Sequence, residues 1–257
     1  MARRLSKSER QHRILERLKS QVTVRILALA REFGVTTETI RRDIDELTGR
    51  GLVSRTYGGA ASPSLTEEPG FLQRELARVP QRRRIAAAAA ALVSTGDVLM
   101  IDSGSTTAQF ARALGERSFA VTVLTNSIAV GRALAPNDRA AVMLCPGAYR
   151  ERELGVYGHE ACAFLARFRA DIAFIGAGGM TEKAITDQDQ DASWIKRAMI
   201  ARATRCVLLI DSAKFNTELF NTVCPLAEID DVVTDTVPGA DLAAALDAAG
   251  TRLHVTK

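Results

Sequence analysis

Along the first fifty residues apolar side chains recur at helical spacing. In ERQHRILERLKSQ, Ile14, Leu15 and Leu18 fall on one side with Arg and Glu on the other, which predicts an amphipathic helix. A second short helix is predicted over LALAREFG, where Gly34 supplies the left-handed residue that ends it. In VTTETIRRDIDELTGRG, Thr36 stands as N-cap, Ile40, Ile44 and Leu47 recur at i, i+4 and i+7, and Gly49 and Gly51 follow the last turn. Two helices separated by a tight turn containing Gly form a helix-turn-helix pattern. The following LVSRTYGGA predicts a short hairpin with Gly58 and Gly59 at its end, a winged variant of that module.

Periodicity then stops. ASPSLTEEPG is rich in Pro, Ser, Thr and Gly and reads as a linker. FLQRELARVPQRRRIAAAAAALVSTG is helical apart from the interruption at Pro80, and its RRR reads as a solvated helix face or a phosphate patch. From residue 96 short runs rich in Val, Ile and Leu alternate with helical stretches: VLMID, VTVLTN, AVMLC, DIAFIGAGG, CVLLID, DVVTD and RLHV. Strands that are apolar throughout and spaced by helices predict a mostly parallel, doubly wound sheet covered on both faces. The organisation expected is a DNA-binding head over 1–60, a linker over 61–80 and a second domain over 81–257.

Charge sharpens this division. Residues 1–60 hold 13 Lys and Arg against 7 Asp and Glu, a net +6, while the remainder holds 21 against 23, a net −2. A basic surplus confined to a small head fits a polyanion partner, nucleic acid first, or a solvated basic face. With Ile40, Ile44 and Leu47 turned inward, Thr37 and Arg41 share one exposed strip and Glu38 and Arg42 the next. In a helix-turn-helix this N-terminal part of the second helix faces the bases of the major groove. Arg42 can instead pair with Glu38 or Asp45. Four scattered cysteines without C-x-x-C spacing read as core residues of a reducing compartment, and three dispersed histidines offer no metal site. No apolar run reaches about 18 residues and the N-terminus leads into charged helix, so a cytoplasmic protein with no membrane partner and no cofactor is expected.

Candidate chemistry in the second domain gathers at strand ends, since ligands of open parallel sheets sit beyond the carboxyl ends of the strands. These ends read DSGSTT at 102–107, TNS at 125–127, PG at 146–147, GAGG at 176–179 and DSAKF at 211–215. Ser105, Thr106 and Thr107 lie where a helix begins, so its N–H groups can hold an anion; the alternative is a strand end plus helix cap. Lys196 and Lys214 add positive charge. Asp102 and Asp211 are candidate acceptors for sugar hydroxyls, and Gly104, Thr125, Asn126, Gly147 and Gly176 complete the crevice. GAGGMT lacks G-x-G-x-x-G spacing and is a weak dinucleotide signal. Convergence of five such loops favours a small phosphorylated sugar or polyol.

The segments LAREFGVTTETIRRDIDEL, GLVSRTYGGA, IDSGSTT, VLTNS, IKRAMI and DSAKF together resemble the DeoR family of bacterial transcriptional regulators, the glycerol-3-phosphate repressor type among them. The resemblance spans almost the whole chain. It implies a winged helix-turn-helix domain joined to a sensor domain similar in fold to ribose-5-phosphate isomerase. It further implies repression of sugar-catabolism genes, release of DNA when a phosphorylated sugar binds, and a homo-oligomer, dimer or tetramer. Thr36, Thr37, Thr39, Arg41 and Arg42 match the family's recognition helix, and Arg55 on the hairpin is grouped with them. Asp102, Gly104, Ser105, Thr106, Thr107, Asn126, Lys196 and Lys214 match its effector pocket. Departures are Arg25 where Ser or Thr commonly caps the second helix, Pro146 before Gly147, Ala184, and Asp191 beside Ala192. The competing reading is a sugar-phosphate isomerase with Asp102 as general base; it lacks the isomerase's acidic motif, and a regulator is expected instead of an enzyme.

Overall fold

The computed structural model describes residues 5–20, 23–49, 52–56, 58–61 and 70–256. They fall into two compact units divided between Pro69 and Gly70.

The first unit runs α1 (Lys7–Ser20), β1 (Thr23–Arg25), α2 (Ile26–Phe33), α3 (Thr37–Gly49), β2 (Ser54–Thr56) and β3 (Gly59–Ala61). Ile14, Leu18, Leu29, Phe33, Ile40, Ile44 and Leu47 meet in one core, which is why the apolar periodicity of all three helices points the same way. Gly34 ends α2 in the left-handed conformation (φ 63°). The hairpin is present, and a strand the sequence does not announce, β1, extends it to an antiparallel sheet of order β1-β3-β2. That strand explains Arg25. Helix α2 leaves β1 directly, and its first N–H, on Ile26, donates to the carbonyl of Gly58 at 3.0 Å, so a backbone oxygen of the wing replaces the side-chain cap. Gly59 is required beside it, because a Cβ there would stand 2.1 Å from the Val24 carbonyl oxygen.

The second unit begins with α4 (Phe71–Leu76) and α5 (Val79–Ala90), so residues 70–80 are largely helical and belong to this unit. Pro80 sits in the first turn of α5, where its missing N–H costs nothing. Then come β4 (Val98–Ile101), α6 (Ser105–Gly115), β5 (Val121–Thr125), α7 (Ile128–Leu134), β6 (Ala140–Leu144), β7 (Ala148–Arg150), β8 (Gly155–Tyr157) and α8 (His159–Leu165). The chain continues through β9 (Ala170–Ile175), β10 (Gly179–Met180), β11 (Ala184–Asp187), α9 (Gln190–Ile200), β12 (Ala203–Leu209), β13 (Asn221–Pro225), β14 (Asp231–Thr234), α10 (Ala240–Ala248) and β15 (Arg252–Val255).

All seven apolar runs form one parallel sheet of order β15-β14-β12-β9-β4-β5-β6. Alternate residues serve opposite faces. Leu99, Ile101, Phe174, Val207 and Leu209 pack under α5, α6 and α7. Met100 and Ala173 face α8 and α9, and Cys206, Leu208 and Val232 face α10. The central strands are apolar throughout because both faces are covered, whereas the edge strand β6 leaves Val142 and Leu144 exposed. Two small elements have no counterpart in the sequence pattern: the β7–β8 hairpin and the antiparallel sheet β10-β11-β13. From β4 the chain adds β5 and β6 on one side, then returns to lay β9, β12, β14 and β15 on the other. The order therefore reverses between β4 and β9, the kind of switch point beyond whose strand ends ligands of open parallel sheets sit.

Candidate functional site

In the first unit the inner flank of α3 is consumed by α1. The Asp43 carboxylate is buried and takes a two-pronged contact from Arg10, Nε to Oδ2 at 2.7 Å and Nη2 to Oδ1 at 3.2 Å. Glu46 binds Lys7 at 2.5 Å and Gln11 Nε2 at 2.9 Å. Thr36, as expected of an N-cap, accepts the Thr39 N–H at 3.2 Å, and the two hydroxyls lie 2.9 Å apart. Glu38, Arg41 and Arg42 stand exposed, and Thr37 is half-buried beside them. Glu38 reaches Arg41 at 3.5 Å and Arg42 at 3.8 Å, long contacts between solvated side chains. Such pairs hold little, so both guanidinium groups can be drawn elsewhere. Arg55 lies in β2, and its side chain falls outside the described residues.

In the second unit the β4–β9 reversal brings DSGSTT against GAGG. The Gly176 N–H donates to Asp102 Oδ2 at 3.3 Å, and the Asp102 N–H donates to the Phe174 carbonyl at 3.0 Å. Lys196, on the core side of α9, sends its ammonium between two carboxylates, 3.0 Å from Asp102 Oδ2 and 3.1 Å from Asp187 Oδ2. All three side chains are buried. Burial works against a charge on Lys196, but Asp102 and Asp187 outweigh it and raise its pKa well above the ordinary lysine value. Burial pushes the Asp102 carboxyl up, with Lys196 opposing. Asp102 Oδ1 is buried and, among the described residues, has no hydrogen-bond partner. A buried acceptor left open is costly and calls for an explanation.

Helix α6 starts at Ser105, and among the described residues nothing accepts from the N–H groups of Ser105, Thr106 or Thr107. Thr107 turns its hydroxyl back to the Gly104 carbonyl at 3.0 Å, whereas among the described residues the hydroxyls of Ser105 and Thr106 have no such engagement. The loop before the helix is held from the side. Asn126 accepts the Ser103 N–H at 3.1 Å and donates to Ser103 Oγ and the Val156 carbonyl, and Ser103 Oγ lies 2.7 Å from the Tyr157 hydroxyl. Thr125 donates to the Ile101 carbonyl at 2.6 Å. Both Thr125 and Asn126 are thus spent on shaping the loop.

The remaining candidates divide. Gly147 (φ 137°) is exposed between β6 and β7, and a Cβ there would meet the Tyr157 carbonyl at 2.5 Å, so its backbone lies tight against the end of β8. Lys214 donates to the Ala177 carbonyl at 2.6 Å, next to Gly176. Asp211, expected to accept a sugar hydroxyl, is taken by arginines instead: Arg78 Nε lies 2.9 Å and Arg82 Nη2 3.6 Å from it. Asp187, Ser103 and Tyr157 do not stand out in the sequence. Lys196 carries the signal for the first, since a lysine on the apolar side of SWIKRAMI needs a buried counter-charge.

Both parts of the chain match known proteins. Residues 10–66 match a DeoR-like helix-turn-helix domain, and residues 77–236 match a DeoR C-terminal sensor domain. The transcriptional repressor CsqR of Escherichia coli K12 is 32% identical over 83% of this chain and 82% of its own length. The glycerol-3-phosphate regulon repressor of the same strain is 29% identical over 91% of this chain and 93% of its own. Among solved structures, a ribose 5-phosphate isomerase A from Methanocaldococcus jannaschii aligns with a TM-score of 0.39 at 21% identity, covering 52% of this chain and 53% of that one. Among the described residues no helix is long and apolar enough to cross a membrane. With a helix-turn-helix head, a sensor domain behind it and repressors as relatives along most of its length, the chain belongs to the DeoR family of transcriptional repressors.

Proposed function

We propose that the head binds a double-stranded DNA operator through Thr37, Arg41 and Arg42, and that a phosphorylated sugar or polyol in the β4–β9 crevice releases it. Thr36 and Thr39 fix the first turn of α3, Glu38 lies beside both arginines, and Arg55 of β2 is counted with the DNA-binding residues. An arginine at this helix position pairs bidentately with guanine.

One juxtaposition carries the effector reading. Among the described residues, the three N–H groups and two hydroxyls at the start of α6 meet no acceptor, and Asp102 Oδ1, at the end of the adjoining strand, lies buried without a hydrogen-bond partner. A helix N-terminus favours an anion, and a carboxylate oxygen accepts from a hydroxyl. A phosphate at one end of a small molecule and a hydroxyl at the other match both. Lys196 serves this site by orienting Asp102, its ammonium being shared with Asp187. One relative is named as the repressor of a glycerol-3-phosphate regulon, and glycerol 3-phosphate is a compound of this class. Two heads of a homo-oligomer matched to half-sites one helical turn or a multiple apart would lose the operator on a small change in their separation.

A gel-shift series on the gene's own upstream region tests the reading. Retardation at low salt, relieved by a sugar or polyol phosphate, is expected; no retardation at low salt sinks it. Thr106→Asp places a carboxylate where the phosphate would sit, and should leave DNA binding intact while abolishing the response. If that variant responds normally, DSGSTT is a helix cap and nothing more.

A further inference from the structure

The segment through which the head enters the second unit is tied to the crevice by arginines. Between α4 and α5 the chain turns at Arg78, which holds the left-handed conformation (φ 52°, ψ 35°) that side chains rarely adopt. Its guanidinium explains the persistence of that turn. Nε lies 2.9 Å from Asp211 Oδ1, and Nη2 donates to Ser212 Oγ at 3.1 Å and Asp235 Oδ2 at 3.2 Å. Asp211 and Asp235 are both buried and follow the carboxyl ends of β12 and β14. Arg82, one turn into α5, adds Asp211 Oδ2 at 3.6 Å and donates to the carbonyls of Ala77 and Arg74. On α4, Arg74 binds Glu153 at 2.5 Å and Glu75 binds Arg112 of α6.

From Asp211 the contacts continue into the proposed effector site. The Lys214 N–H donates to the Asp211 carbonyl at 3.0 Å, Lys214 Nζ donates to the Ala177 carbonyl, and the neighbouring Gly176 N–H donates to Asp102 Oδ2. We infer that α4 and the Arg78 turn form a coupling strap, which senses the crevice through Asp211 and Asp235 and passes its state to the chain leading to the head. The strap rests on the proposed effector for its physiological trigger. The mechanical claim stands apart from it, because coupling between two sites is reciprocal. A strap that couples the two predicts that DNA bound at the head alters the Asp211 loop.

The test uses the full-length protein and Arg78→Gly, which accepts the left-handed turn and deletes the clamp. Amide hydrogen exchange over residues 211–215 is followed with and without operator duplex. The wild type should change protection at least threefold on binding DNA, and the variant should show no change while its ligand-free operator affinity stays within about twofold. The same operator-linked change in the variant overturns the strap, and so does its absence in the wild type. If Arg78→Gly does not fold, Asp235→Asn weakens the same clamp and should reduce the DNA-linked change. In parallel, operator affinity is measured with glycerol 3-phosphate, ribose 5-phosphate and inorganic phosphate. Where one of these weakens operator binding by the wild type, Arg78→Gly should cut that effect tenfold or more while binding the same compound within about threefold. A wild type indifferent to all three defeats the effector reading and leaves the exchange result to decide the strap.

Discussion

The two regions handle charge in opposite ways. On α3 the arginines lie in solvent, joined to Glu38 by contacts of 3.5 and 3.8 Å. In the crevice Lys196 is buried and locked between Asp102 and Asp187 at 3.0 and 3.1 Å. An exposed cation is available to a polyanion at little cost, since the pair it leaves is worth at most about 1 kcal/mol. A buried one cannot be lent out, because removing it strands its partners in a low dielectric. The head is therefore built to exchange partners, and the crevice to hold one arrangement of carboxylates in place.

Substitutions should separate the two modes. The largest effect is expected from Lys196→Met, which leaves Asp102 and Asp187 buried without their cation and should destabilise the second unit by about 3–5 kcal/mol in chemical denaturation. A loss below about 1 kcal/mol would mean that the ammonium is not the organising charge. Next comes Arg41→Ala, which should leave the denaturation midpoint within about 0.5 kcal/mol of wild type and weaken operator binding by about 1–3 kcal/mol. Equal losses in stability and affinity would instead make Arg41 part of the core scaffold.

Acid provides a third separation, through Asp231 at the start of β14. Burial pushes its carboxyl up, but hydrogen bonds from Arg252, Arg205 and His254 prevail and hold it well below the usual carboxylate range. A depressed carboxyl stabilises the fold above its unfolded pKa, near 3.9, and that contribution is lost as pH falls toward the folded value. Stability of the second unit should thus decline from about pH 4 downward, and Asp231→Asn should flatten that decline in denaturation series between about pH 2 and 5. The smallest change is Glu38→Gln, which should tighten DNA binding by less than about 1 kcal/mol at low salt and lose that advantage as salt screens the field.

Both domains are legible in the sequence for one reason: their cores are periodic. Ile40, Ile44 and Leu47 mark α3 at helical spacing, and unbroken runs such as DIAFIG mark strands covered on both faces. Elements that are two or three residues long, or broken by polar side chains as in NTVCP of β13, carry no such signal, so β1, β7, β8, β10, β11 and β13 leave no mark in the pattern. The crevice is legible as a set of strand ends, because a parallel sheet brings those ends together whatever their side chains do. What each side chain does there depends on partners far along the chain. Asp102 meets Lys196 and Gly176, and Asp211 meets Arg78 from the opposite end of the unit's sequence. No local pattern encodes such pairings, which is why Asp187 stays hidden in the sequence and why the arginines beside Asp211 go unannounced.

The wing carries one more consequence. Its Gly58 carbonyl caps α2, and its Gly59 backbone lies so close to Val24 that no side chain fits between them. The described part of the hairpin is therefore fastened to β1 and to the start of α2, and through α2 to the core shared with α3. The head would meet its operator as one rigid tool, with wing and recognition helix set at a fixed angle before contact.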